Sequence, residues 1–275
     1  MEVIQRYFSA GECTHPEFSV IRGGAFAARR FPALVGLFEH PSEGPILFDS
    51  GYGHAFFEET RRLPLWIYGK VTPVRLPPGA TAAEQLRGVG LDPAEIRQVI
   101  LSHFHADHVG GLSGFPNATF IYWREAYEAV RSLGPWAGLR AGFVRAHLPP
   151  DFERRSRALE SRDLAPLPIL DGLLTGANLF GDGSLCLVAL PGHAAGQAGL
   201  LVGKRLLVGD AVWLKRSLLE RRLPGLAARL LMQDWGAYCR TFEALCELQR
   251  RGRVELVPSH CAESHAALPG LDGRS

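Results

Sequence analysis

The residue pattern predicts an α/β chain layered as an αββα sandwich. Apolar strand-like runs and helical segments alternate in two rounds, each closed by helices, which suits stacked layers better than an all-β barrel. The 275 residues are 47 % hydrophobic and 21 % charged, enough apolar material for a full core and too little charge for disorder. Pro and Gly are scattered as punctuation and no internal repeat is visible, so residues 1–275 read as a single domain.

In chain order, strands are expected at Phe18–Arg22, Leu34–Glu39 and Pro45–Phe48, the last leaving abruptly at Asp49-Ser50-Gly51. Thr81 followed by Glu84 has the spacing of a capping box, and Asp92-Pro93-Ala94-Glu95 reads as a second helix start. Val99–Ser102 and Thr119–Tyr122 read as strands and Arg124–Arg131 as a helix. The arginine-rich stretch from Gly134 onward extends a helical insertion over about 124–165. Three further strands are expected at Leu185–Leu190, Gly199–Val202 and Leu206–Val208. Helices follow over 215–231 and 235–250, with a final strand at Val254–Val257.

The segment Ser102-His103-Phe104-His105-Ala106-Asp107-His108-Val109-Gly110-Gly111 carries the chemistry. Imidazole and carboxylate are borderline metal ligands, and His103 and His105 would project to one side of an extended backbone. A turn after them brings Asp107 and His108 to a neighbouring position, so the segment could serve two metals. Downstream, His193, Asp210 and His260 each follow an expected strand. Singly they read as a turn histidine, a capping aspartate and a loop histidine. Strand ends of a layered sheet protein collect along one edge, however, where such folds bind ligands.

His103-x-His105-x-Asp107-His108 followed by His193, Asp210 and His260 resembles the metallo-β-lactamase-fold hydrolase superfamily. The resemblance runs from Asp49 to His260. It implies a dinuclear site in which His103, His105 and His193 hold one divalent metal and Asp107, His108 and His260 the other. Asp210 would bridge them, and Asp49 would support the ligands from behind. Zn2+ suits these ligands, and Fe or Mn is accepted by the same types. Two metals about 3.5–4 Å apart share a bridging hydroxide and polarise the oxygen under attack. Asp107 or Asp210 would then return a proton to the leaving group.

Departures narrow the activity. Class B β-lactamases usually carry another residue at the position of Asp210, flavodiiron reductases a glutamate at that of His105, and glyoxalase II a longer helical tail. Quorum-quenching lactonases are the most similar group, which implies hydrolysis of a small ester-like substrate, foremost an N-acyl homoserine lactone. Those lactonases have a tyrosine where this chain has Trp213, which becomes a candidate pocket wall. A phosphodiesterase or nuclease of the same fold, and a mononuclear iron persulfide dioxygenase-like enzyme, are the alternatives.

The formal net charge of +2 gives no reason to expect nucleic acid as a partner, and no apolar run suggests a membrane. Arginines 140, 145, 154, 155, 157 and 162 read chiefly as a solvated face pairing with nearby acids. Five cysteines without a C-x-x-C pair and an N-terminus without an apolar h-region lead to the expectation of a reduced, cytoplasmic protein. A small-molecule substrate is the expected partner, and a homodimer is left open. His15, His40, His54, His147 and His265 show no partner pattern and read as surface residues.

Overall fold

Short runs of consecutive apolar residues, whose side chains point alternately to either side, give the central strands two buried faces. The computed structural model describes residues 3–272. One sheet holds β1 (Ile4–Pro16), β2 (Ala28–His40), β3 (Gly44–Phe48), β4 (Val74–Arg75), β5 (Gln98–Ile100), β6 (Thr119–Trp123) and β7 (Ser156–Leu159). Their order is β4-β1-β2-β3-β5-β6-β7, antiparallel from β4 to β3 and parallel from β3 to β7. The other holds β8 (Ala165–Pro166), β9 (Thr175–Asn178), β10 (Leu185–Ala189), β11 (Ala198–Val202), β12 (Arg205–Leu207) and β13 (Glu255–Val257). It runs β13-β12-β11-β10-β9-β8, with β12 and β13 parallel.

Along β3 and β5, Ile46, Phe48 and Ile100 point into the sandwich and meet Leu187, Leu200 and Leu207 of the second sheet. The intervening Leu47 and Val99 face outward, beneath Leu86 of the helix Ala82–Gly88. That helix starts at the Thr81–Glu84 capping box expected from the sequence. Over the second sheet, the helix Trp235–Arg251 buries Tyr238, Phe242 and Leu245 at helical spacing against Val188, Leu201 and Leu206. Helix, sheet, sheet, helix is the observed order of layers, and the αββα expectation holds. No helix is long and apolar enough to cross a membrane among the described residues.

Several elements differ from expectation. β1 was not foreseen: a register shift between Ser9 and Glu12, where Gly11 has φ +87°, breaks its alternation. Phe18–Arg22 is no strand; Glu17–Val20 forms one helical turn after Pro16. The capping box at Asp92 exists but starts a single 3-10 turn, because Gln98 already begins β5. The 124–165 stretch is less helical than expected. It has short helices at Arg124–Glu128 and Pro135–Arg140, and from Ser156 it pairs with β6 as β7. The helix expected over 215–231 is two pieces, Lys215–Leu219 and Leu226–Arg229, separated by Arg221 at φ +51° and by Pro224.

Candidate metal centre

Five loops, each leaving the C-terminal end of β3, β5, β10, β12 or β13, supply Asp49, His103 to His108, His193, Asp210 and His260. The four-residue helix Ala106–Val109 bends the chain so that Asp107 and His108 turn back toward His103. The loop carrying His193 packs on the long helix of the second sheet. A Cβ on Gly192 (φ +135°) would lie 2.3 Å from the Tyr238 backbone, so only glycine fits this approach. Thr241 donates to the Pro191 carbonyl at 2.7 Å and Asp234 N–H to that of Gly192 at 3.0 Å.

All seven residues expected to bind metal converge. Donor atoms of His103, His105, His193 and Asp210 form one set and those of Asp107, His108, Asp210 and His260 another; within each set they lie within 4.8 Å of one another. Asp210 belongs to both. His260 Nε2 is 3.0 Å from Asp210 Oδ1 and 3.2 Å from Asp107 Oδ2, and His108 Nε2 is 3.2 Å from Asp210 Oδ1. His193 Nε2 lies 3.1 Å from His105 Nδ1 and 3.4 Å from Asp210 Oδ2.

Hydrogen bonds behind these atoms fix which nitrogen faces inward. His260 Nδ1 donates to the Pro32 carbonyl at 2.8 Å, and His108 Nδ1 to Asp49 Oδ2 at 2.7 Å. Asp49 also accepts from Ser102 N–H and Ser102 Oγ, each at 2.8 Å. Both Nε2 lone pairs are thereby aimed at the cluster.

The donor set fits divalent cations. Among the described residues, His103 Nε2, His108 Nε2 and Asp210 Oδ1 are buried without a well-formed hydrogen bond, a costly arrangement unless something else satisfies them. Burial opposes charge on His108, yet Asp107, Asp49 and Asp210 hold its pKa well above the usual value. His260 is held up at about 10 by Asp210 and Asp107 against the same cost of burial. His193 goes the other way, pushed to about 3 chiefly by burial. Protons on His108 and His260 thus occupy positions that a cation would take over, releasing them.

The centre floors a pocket of about 280 Å³ lined by His105, Asp107, His193, Asp210 and Trp213, with apolar walls that include Val20, Val71, Leu139 and Met232. Trp213 covers His260, ring centroids 4.2 Å apart. Several sequence readings need correction here. His40 is buried, bonded to Asp182 and Ser184; His147 is buried; His15 is half-buried in the pocket wall. None of these stood out because each is a lone histidine without a spaced partner. In the arginine-rich stretch, Arg154 pairs with Asp151 and Arg162 with Glu160, as expected of a solvated face, whereas Arg155 is largely buried, bonding Asp151 and the Phe115 and Ala118 carbonyls, and Arg140 stands at the pocket.

Residues 28–250 match the metallo-beta-lactamase superfamily model. Among curated proteins the chain is similar to the N-acyl homoserine lactonase AttM of Azorhizobium caulinodans, 32 % identical over 64 % of this chain and 62 % of the relative. AttM of Agrobacterium fabrum is 33 % identical over 53 % of this chain and 52 % of the relative. The match thus spans about half to three-fifths of these relatives' length. Among solved structures, an N-acyl homoserine lactone hydrolase with N-hexanoyl-L-homoserine bound at its catalytic metal centre aligns with TM-score 0.76 at 20 % identity, over 99 % of both chains. A Bacillus thuringiensis AiiA variant with N-decanoyl-L-homoserine bound aligns with TM-score 0.75 at 20 % identity, over 99 % of both chains. With the family model matched over most of its length and the αββα layers in place, this chain belongs to the metallo-beta-lactamase superfamily.

Proposed function

We propose that this chain is a dinuclear metal-dependent hydrolase that opens a lactone, foremost an N-acyl homoserine lactone. The observation that carries the reading is the pair of ligand sets sharing Asp210 at the floor of an apolar pocket. His103, His105 and His193 would hold one cation, Asp107, His108 and His260 the other, and Asp210 both. Zn2+ is the proposed metal, with Fe or Mn compatible with the same ligands. When bound, two such cations supply a nucleophile from water near neutral pH and polarise the acyl oxygen.

The chain's own residues do the rest. The oxygen of water bonds to the acyl carbon, the ring C–O bond breaks, and the departing oxygen takes a proton. Asp107 and Asp210 line the pocket beside that oxygen's path and are the groups placed to carry the proton. Val20, Val71, Leu139 and Met232 suit an acyl tail better than a phosphodiester anion. The similarity to lactonases supports the same substrate class.

A pH-indicator assay on zinc-loaded protein tests this. Turnover of N-hexanoyl-homoserine lactone well above that of a model phosphodiester is expected, with close to two metals per chain. Preference for the phosphodiester overturns the substrate class, and retention of under one metal per chain overturns the dinuclear site.

A further inference from the structure

His15, near the end of β1, is a polar group in the pocket wall that belongs to neither ligand set. Its ring lies 6.0 Å from that of Trp213 and 6.5 Å from that of Phe31, centroid to centroid. Trp213 in turn covers His260, so His15 is one aromatic ring removed from the metal centre. Its two ring nitrogens make no hydrogen bond among the described residues. Of the other polar side chains of the same wall, Ser19 Oγ donates to the Pro16 carbonyl at 2.6 Å and Tyr68 Oη to the Gly142 carbonyl at 3.4 Å, whereas Ser217 Oγ is buried without a partner among the described residues.

Burial, and after it the nearby His260, pushes the His15 pKa down against the pull of Asp107, so the ring is neutral at pH 7. A neutral imidazole offers one N–H donor and one bare lone pair. A secondary amide offers the complementary carbonyl acceptor and N–H donor. An ester or lactone without an amide offers acceptors alone. In walls that are largely apolar, an unengaged donor–acceptor group is a discriminating feature, because leaving it unpaired against a bound ligand forfeits its bond to water.

We propose that His15 is a specificity residue that hydrogen-bonds an amide carried next to the scissile ester, so that the site takes acylamino lactones in preference to plain alkyl lactones. The inference rests on the lactone reading above and deepens it.

The test compares N-hexanoyl-homoserine lactone with γ-decalactone on the zinc-loaded enzyme, as the ratio of their kcat/KM values. In His15→Phe, which keeps an aromatic ring and removes both nitrogens, that ratio is expected to fall about three- to tenfold. His15→Gln, which restores a donor and an acceptor, is expected to recover most of it. Calorimetry gives a second readout: His15→Phe should weaken N-hexanoyl-homoserine, the ring-opened product, by a similar factor relative to 4-hydroxydecanoate. An unchanged ratio in His15→Phe, with both lactones turned over, overturns the inference alone. Turnover of neither lactone by the wild type overturns the lactonase reading and the inference with it.

Discussion

Asp49 Oδ2 and His108 Nδ1 lie 2.7 Å apart, both side chains almost wholly removed from solvent. Asp49 stands at φ +60°, the left-handed region, at the exit from β3, and Ser102 fills two more of its acceptor sites. The carboxylate orients the imidazole and would strengthen it as a metal ligand. Asp49→Ala should lower metal affinity about 10- to 100-fold, as loss of a partner behind a ligating histidine typically does. Titration against a chelating dye measures this, and unchanged affinity would show that His108 needs no orienting partner.

The proposed direct ligands should matter more. Asp210→Ala removes the carboxylate shared by both sets, and His105→Ala removes one donor from a single set. Both variants should lose hydrolysis by more than the roughly 100-fold upper end for an outer partner. Metal content separates them: Asp210→Ala should impair both positions, His105→Ala mainly one. Equal metal loss in the two variants would contradict the shared role of Asp210.

Gly142 is a close neighbour that carries no functional group. A Cβ there would come within 2.7 Å of His105 Cδ2, at a residue with φ +63°. Gly142→Ala should therefore displace the His105 ring, cost about 1–2 kcal/mol from backbone strain, and lower kcat. Denaturant unfolding and kinetics on the loaded protein would report the two effects separately.

Trp213→Phe keeps a ring over His260 and removes the indole N–H. Metal content should hold while relative rates on lactones of different tail size change. Loss of metal in this variant would mean that Trp213 serves the ligand rather than the pocket.

His147 is 1 % exposed, and among the described residues neither ring nitrogen has a hydrogen-bond partner. Burial pushes its pKa down to about 4, against a small opposing effect of Asp107. Between pH 6.5 and about 4 the unfolded chain therefore takes up a proton that the folded chain refuses. Stability should fall on acidification across that window, by up to about 1.4 kcal/mol per pH unit from this group. Urea midpoints at pH 7 and pH 5 measure the loss, and His147→Leu should shrink the difference between them.

The contrast between His103 and His15 explains what could be read beforehand. His103, His105, Asp107 and His108 sit within six residues, so local spacing alone marked them, and His193, Asp210 and His260 were recognisable from the strands before them. His15 and His147 acquire their surroundings only through tertiary packing, and a lone histidine carries no spacing. Short runs of consecutive apolar residues bounded by turn residues, such as β3 and β10, were legible for the same local reason as the motif. β1 was not, because its bulge at Gly11 shifts the pleat midway and much of its length is half-buried. Helix ends marked by Thr81 and Glu84 were readable, whereas the interruption at Arg221 and Pro224 was masked by leucines on either side.

Four of the converging donors come from the segment after β5 and three from loops of the other sheet, and each set draws on both. Neither half of the polypeptide owns a complete coordination sphere. A cation bound there in preference to the open arrangement would act as a rivet between the two halves, stabilising the joined state in proportion to RT ln(1 + [metal]/Kd). Chelation should loosen the union of the sheets as well as silence the chemistry, and unfolding midpoints should climb with free metal concentration. The set of His103, His105, His193 and Asp210 already spans both sheets, so a nascent chain would gain a first such fastening once Asp210 has been made and a second only after His260.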